Sequence, residues 1–278
     1  MVKKDNIGGQ ALIEGVMIKN KDKIAIAVRK GKKIIVTKEK LKFKEIQIPF
    51  IRGIINLFVI MYIGIKSLNY SSSVYTDEKE ESSNWGILFS LLFALFFGLA
   101  LFKLLPLFLT TFFDKYFKVS NFLFNLIEGL IKIGLFILYV YLISLSKDVF
   151  RVFQYHGAEH KAVACYESGK KLTVKNVQTF RTEHKRCGTS FIFLVLLVSV
   201  IVYSFVPKDY FFWFKFILRI GLLPVIAGIS YEMLKLGARY NLFGWLVYPG
   251  ILIQKITTQE PDNKQVEVAI SAVKAALR

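Results

Sequence analysis

Four apolar runs, each close to the length of a membrane-crossing helix, constrain this chain more than any other feature. They cover residues 85–109, 121–145, 189–206 and 210–234. A helix needs about 20 residues to cross a bilayer. In hydrocarbon every backbone N–H and C=O has to find its partner within the segment or a closed barrel, so runs of this length read as helices. The remaining composition agrees. Of 278 residues, 54% are hydrophobic and 26 are Phe, and the mean hydropathy is +0.46. A disordered protein cannot be this apolar, and two cysteines cannot make a disulfide scaffold.

The net charge of +18 has to be explained beside those runs. Residues 1–52 hold 14 Lys/Arg against 5 Asp/Glu, and 146–188 hold 9 against 4. With four spans, 1–84, 146–188 and 235–278 lie on one side of the membrane, and these regions carry most of the positive charge. The positive-inside rule makes that side cytoplasmic, with both termini on it. Counting 53–65 as a fifth span would put the two basic regions on opposite sides. At 13 residues it reads instead as an interfacial or re-entrant segment, as does 241–252, which Gly244, Pro249 and Gly250 interrupt. The N-terminus lacks the early apolar run of a secretory signal. Specific nucleic-acid binding is not expected, since the charge is explained by loops flanking spans and suits anionic lipid.

The expected fold is an α-helical integral membrane protein with about four transmembrane helices and a small cytoplasmic module containing an N-terminal β element. Its divisions are 1–52 (basic, β and Gly-rich), 53–84 (interfacial helix and acidic loop), 85–145 (two spans), 146–188 (a His/Glu/Cys loop), 189–234 (two spans) and 235–278 (a re-entrant segment and an amphipathic helix). In 1–52, KIAIAVR at 23–29 and KIIVTK at 33–38 alternate around Lys30-Gly31-Lys32 and predict a hairpin. GGQALIEGVM at 8–17 reads as a Gly-rich loop with one acidic residue. It lacks the spacing of a phosphate-binding loop or a dinucleotide fingerprint. Glu128 and Lys132 fall four apart inside the second span, where they would neutralise one another on one helix face.

All three histidines lie within the 29 residues from His156 to His184. His156 and His160 are four apart, one turn along a helix, which lets both rings reach one ion. With Glu159 they spell His-x-x-Glu-His, the inverted zincin pattern, in which the Glu is general base toward metal-bound water. Residues 148–167 contain no Pro, and Gly169 suits a helix end. A further ligand is available from Glu183, His184 or Cys187 in the second block, TEHKRCGTS. Cysteine sulfur favours zinc over magnesium or calcium. A cytoplasmic Cys165–Cys187 disulfide is not expected. Two other readings stand beside the metal site. The same polar residues could cap and cross-link helices at the membrane surface, or Cys187 could be a nucleophile activated by His184.

GGQALIEGVM at 8–17, YHGAEHKAV at 155–163, RCGTSF at 186–191 and TTQEPD at 257–262 resemble, in order and over nearly the whole chain, the YqhQ-like family of bacterial membrane proteins. That resemblance implies a multi-pass protein of the bacterial inner membrane and a metal-dependent enzyme of unestablished reaction. It carries His156, Glu159, His160, His184 and Cys187 over as metal-site residues and Glu14 as a functional candidate. The family pattern often has Pro where Lys185 stands here, which alters the turn after His184 without removing a ligand type. The expectation is therefore a zinc-dependent membrane enzyme, of hydrolase class, with Glu159 and Glu14 as catalytic candidates and His156, His160, His184, Cys187 and Glu183 as metal ligands. The competing class is a non-catalytic membrane factor whose basic face binds anionic lipid, ribosome or a partner membrane protein. A transporter fits less well, because the chemistry-capable residues gather in a loop rather than in the spans.

Overall fold

The computed structural model of the protein describes residues 7–41, 48–77 and 84–278. The acidic run at 78–81, and residues 1–6 and 42–47 of the basic N-terminal stretch, lie outside the described residues. The fold is mostly helical with one small antiparallel sheet.

The sheet is a four-stranded meander of β1 (Ile7–Leu12), β2 (Gly15–Asn20), β3 (Lys23–Lys30) and β4 (Lys33–Lys40), in spatial order β1-β2-β3-β4. The 23–38 hairpin is where the alternation predicts it. The Gly-rich segment, read as a loop, is instead the β1–β2 hairpin, with Gln10 opposite Met17 and a turn at Ile13-Glu14. Its glycines hid the alternation, and at least one answers a packing demand. A Cβ on Gly9 would lie 2.3 Å from the Met17 carbonyl and 3.0 Å from Glu159 Oε1.

Both faces of the sheet are covered, which explains the composition of β3. Ile24, Ile26 and Val28 join Leu12 and Met17 against Ile63, Val59 and Val74 of the helix α1 (Ile51–Thr76). Ala25 and Ala27 face the other way with Val16 and Ile18. They meet two helices, α5 (Lys147–Ser168) and the C-terminal helix α11 (Asn263–Leu277), through Tyr155, Ala158, Ala162, Ala269, Ala272 and Val273. Small alanines on strand and helix allow close approach, and burying such side chains stabilises by roughly 25 cal/mol per Å² of apolar surface. Asp262 caps α11, its carboxylate accepting the Gln265 N–H while the Gln265 side chain accepts the Asp262 N–H.

The apolar helices form the rest. Ile51–Thr76, Leu95–Phe117 and Asn121–Ser144 are long and apolar enough to cross a membrane, and Phe212–Gly221 with Leu223–Arg239 make a fourth candidate bent by 42°. Leu95–Phe117 joins α2 (Asn84–Leu99) to α3 (Leu105–Phe117) through a π-helical turn at Ala100–Leu104. The expected 85–109 run thus continues as helix to Phe117, with Pro106 placed directly after the π-helical turn. α4 (Asn121–Ser144) matches its predicted run, and α7 (Gly188–Ser204) is apolar but only 17 residues long. The 210–234 run is the bent pair α8 (Phe212–Gly221) and α9 (Leu223–Arg239). The 53–65 segment is part of the 26-residue α1, whose second half lies on the sheet. The interrupted 241–252 segment is a 3₁₀ stretch followed by α10 (Tyr248–Thr257), which packs on α4 and α7 through Ile253. A short α6 (Val174–Gln178) follows α5.

Candidate metal centre

α5 carries the site. Its sequence KDVFRVFQYHGAEHKAVACYES holds no Pro, and it stops at Gly169 in the left-handed conformation. His156 and His160, one turn apart, place their rings 4.4 Å from each other. Cys187, which caps the N-terminus of α7, approaches from the other side, its Sγ 3.3 Å from His156 Nε2. One ligand atom from each of His156, His160 and Cys187 lies within 4.8 Å of the others. From zinc–ligand bond lengths, neighbouring donors in a tetrahedral site stand roughly 3.3–3.6 Å apart. The His156–Cys187 distance already meets that.

The backbone fixes which nitrogen of each ring faces the cluster. His156 Nδ1 is 2.9 Å from the Thr257 carbonyl, and His160 Nδ1 is 2.5 Å from the Thr182 carbonyl. A carbonyl only accepts, so each Nδ1 carries the hydrogen and each neutral ring presents its Nε2 lone pair inward. This outer support, a ligand histidine donating its other N–H to a carbonyl, is the usual way metal-binding rings are oriented. His160 is buried, and burial holds its pKa below the ordinary value, against the pull of Cys187. Burial opposes ionisation of Cys187, but His160 and the Thr189 hydroxyl and N–H outweigh it, and the thiol falls below its ordinary value. A thiol at a helix N-terminus is favoured as thiolate for the same reason.

Glu159 is outside that converging group but buried, within electrostatic reach of His156 and Cys187, and accepts the Gly9 N–H. Its Oε2 has no hydrogen-bond partner. Burial pushes its pKa up to about 8. Two imidazoles and a thiol that converge, with a buried carboxyl oxygen left without a partner nearby, are donors of the kinds that fit a divalent metal.

The other candidate residues are placed differently. The His184 ring is 5.5 Å from that of His160, yet its nitrogens are engaged elsewhere. Nδ1 accepts the Arg186 N–H, and Nε2 faces Glu167 Oε2 at 3.4 Å. Glu183 is half-buried and outside the converging group. Glu14 is also outside it. Its carboxylate takes the Arg151 guanidinium through two nitrogens and the Tyr155 hydroxyl at 3.1 Å, tying the β1–β2 turn to α5. Cys165 and Cys187 are not joined in a disulfide.

Several supporting residues carry no chemical signature of their own in the sequence. Gln254 is fully buried on α10. It accepts the His184 N–H and donates to the His184 carbonyl and to Ser190 Oγ, which fixes the 182–187 turn and hence Cys187. The TTQEPD segment wraps α5. Thr257 holds His156, the Gln259 N–H bonds to the Phe153 carbonyl, and Glu260 pairs with Lys161. Gly157 makes that crossing possible, since a Cβ there would fall 2.1 Å from the Gln259 carbonyl. The signals in the sequence are the TTQEPD motif itself and a glycine between two histidines inside an otherwise sound helix.

The fold and site define a class: a protein with several helices apolar enough to span a membrane, carrying a sheet-and-helix module in which a His/His/Cys cluster meets a buried Glu. The chain belongs to the family described as "Protein of unknown function (DUF1385)", whose model matches residues 48–278. It is 37% identical over 294 residues to the "Uncharacterized protein YqhQ" of Bacillus subtilis (strain 168), covering 98% of this chain and 92% of that protein. No solved structure matches.

Proposed function

We propose that the protein is a metal-dependent membrane enzyme with a zinc centre at His156, His160 and Cys187, and that its reaction is a hydrolysis. One observation carries the reading. Two imidazoles, both locked by backbone carbonyls into the same tautomer, turn their lone pairs toward one cysteine sulfur beside an unpartnered carboxylate oxygen. A zinc ion held there supplies Lewis acidity toward water or a substrate carbonyl. The chain's own residues do the rest. Thr257 and Thr182 orient the rings, Cys187 supplies the soft donor, and Glu159 holds or takes a proton at Oε2. Glu14 is a positioning residue, setting α5 against the sheet through Arg151 and Tyr155. His184 and Glu183 are outside the proposed ligand set.

The positive-inside bias assigns the module to the cytoplasmic side of the bacterial cell membrane, where substrate would arrive at the bilayer surface. The test has two parts. Cobalt(II)-loaded protein is expected to show a sulfur-to-metal absorption band that Cys187→Ser abolishes and Glu159→Gln keeps. Wild-type protein, reconstituted with membrane extract in ¹⁸O-labelled water, is expected to place label in products, and Glu159→Gln to place none. A cobalt band without label in any product would leave a metal-binding membrane factor and overturn the hydrolase reading. A band that survives Cys187→Ser would overturn the ligand set.

A further inference from the structure

A second buried polar cluster lies in the helical bundle, among α4, α7, α8 and the π-helical turn. Glu128 and Lys132 of α4, Tyr203 of α7 and Arg219 of α8 are each 1% exposed. Glu128 Oε1 forms an ion pair with Lys132 Nζ at 2.5 Å, and Glu128 Oε2 accepts from Arg219 Nη2 at 2.7 Å. Arg219 Nη2 also donates to Asn125 Oδ1 at 2.8 Å. The expected Glu128–Lys132 pair is therefore present, but it is not the whole cluster. Lys103, on the π-helical turn, donates to the Tyr203 hydroxyl at 2.8 Å, and that hydroxyl donates to the Arg219 carbonyl at 2.9 Å.

Basic groups outnumber carboxylates here. Lys103, Lys132 and Arg219 lie 4.9, 4.5 and 5.1 Å from the centre of the Tyr203 ring. Three basic side chains thus surround one aromatic ring with one carboxylate among them. Among the described residues, Glu128 is the only carboxylate paired to any of them. Two guanidinium nitrogens of Arg219, Nε and Nη1, have no partner although the side chain is buried. Burying an unmatched charge costs several kcal/mol, and an aromatic face recovers only part of that. π-Helical turns are uncommon and occur mainly at functional sites, and this one carries Lys103 into the cluster.

We propose that Lys103, Lys132 and Arg219 form a binding site for a phosphate group inside the bundle. A phosphate complements this cluster of basic groups, and its oxygens can take the unpartnered Arg219 N–H groups together with the lysine amines. Lys132 and Arg219 are also held by Glu128. Lys103 has no carboxylate partner and is the residue whose charge the phosphate chiefly offsets. The source of the phosphate is a bilayer phospholipid headgroup or a water-soluble phosphate, and the experiment separates them.

The full-length protein is purified in detergent without phosphate buffer. Its melting temperature is followed during titration with phosphatidylglycerol, with zwitterionic phosphatidylcholine, with inorganic phosphate and with chloride. Wild type is expected to be stabilised by phosphatidylglycerol or by inorganic phosphate, but not by chloride and less by phosphatidylcholine. The responding probe names the source. Lys103→Met leaves the Glu128 pairs intact, so it should fold. It should need about tenfold more of the effective probe and should melt above wild type when no probe is present. Equal stabilisation by phosphatidylglycerol and phosphatidylcholine, with no response to phosphate, would overturn the proposal. So would a Lys103→Met titration that overlays wild type.

Discussion

The bundle cluster and the module cluster leave opposite kinds of group without a partner, guanidinium N–H groups in one and a carboxyl oxygen in the other. In the bundle, Lys103, Lys132 and Arg219 share one carboxylate, and guanidinium hydrogens are left over. In the module, two imidazoles and a thiol of lowered pKa converge, with an unpartnered carboxyl oxygen nearby. They are also built differently. The bundle cluster is held side chain to side chain, so removing one member strands another. The module cluster is held by main-chain carbonyls at Thr182 and Thr257, so each ring keeps its direction whether or not its neighbours are present. Side-chain pairing suits a site that must be neutralised. Backbone support suits a site that must be preorganised before a ligand arrives.

That contrast can be broken by removing a carboxylate from each cluster. Glu128→Gln should have the largest effect, because it leaves Lys132 and Arg219 buried without a counter-charge. A loss of about 3–5 kcal/mol is expected from breaking a buried pair on one side, read as a lower denaturation midpoint in detergent. A midpoint within error of wild type would show that Glu128 does not balance the cluster.

Glu159→Gln should do the reverse in protein stripped of metal. The folded-state pKa of Glu159 lies near 8, against 4.5 for an ordinary glutamate. Its folded form binds the proton more tightly than the unfolded chain does. Stability therefore falls as pH rises from about 4.5 to 8, then levels off. The difference in melting temperature between Glu159→Gln and wild type should grow across that window in favour of the variant. A flat difference would mean that the carboxyl ionises at its usual pH.

Gly157→Ala sharpens the module side alone. The added methyl must displace the Gln259 carbonyl, which would carry Thr257 away from His156. The expected cost is about 1–3 kcal/mol of stability and at least about tenfold in metal affinity, as for other losses of outer support. Normal metal affinity in a destabilised variant would show that the Thr257 carbonyl does not matter to the ring.

Much of this arrangement was legible in the sequence, and the gaps have physical reasons. The four-residue spacing of His156 and His160, the Gly169 stop and the long apolar run of α4 are local signals, and the helices fall where they put them. The β1–β2 hairpin was masked because Gly8 and Gly9 interrupt its alternation. Gly9 has no room for a Cβ, which would strike the Met17 carbonyl across the hairpin and come within 3.0 Å of Glu159, 150 positions away. The length of α1 was underestimated because its second half is only moderately apolar and is held by the sheet. His184 shares residue type and neighbourhood with the cluster, yet its ring is turned to Glu167 and Arg186. Nothing in the residues from 182 to 187 encodes that direction. Gln254, Thr182 and Thr257 act through an amide side chain or backbone oxygens, which have no distinctive signature in a sequence.

The measurement closest to the central claim is elemental analysis of the detergent-purified full-length protein, made alongside His160→Ala and Cys187→Ala. The account predicts about one zinc per wild-type chain and a loss of that zinc in both variants while the helical circular dichroism is kept. Folded wild-type protein with no stoichiometric divalent metal, or variants that retain it in full, would contradict the account.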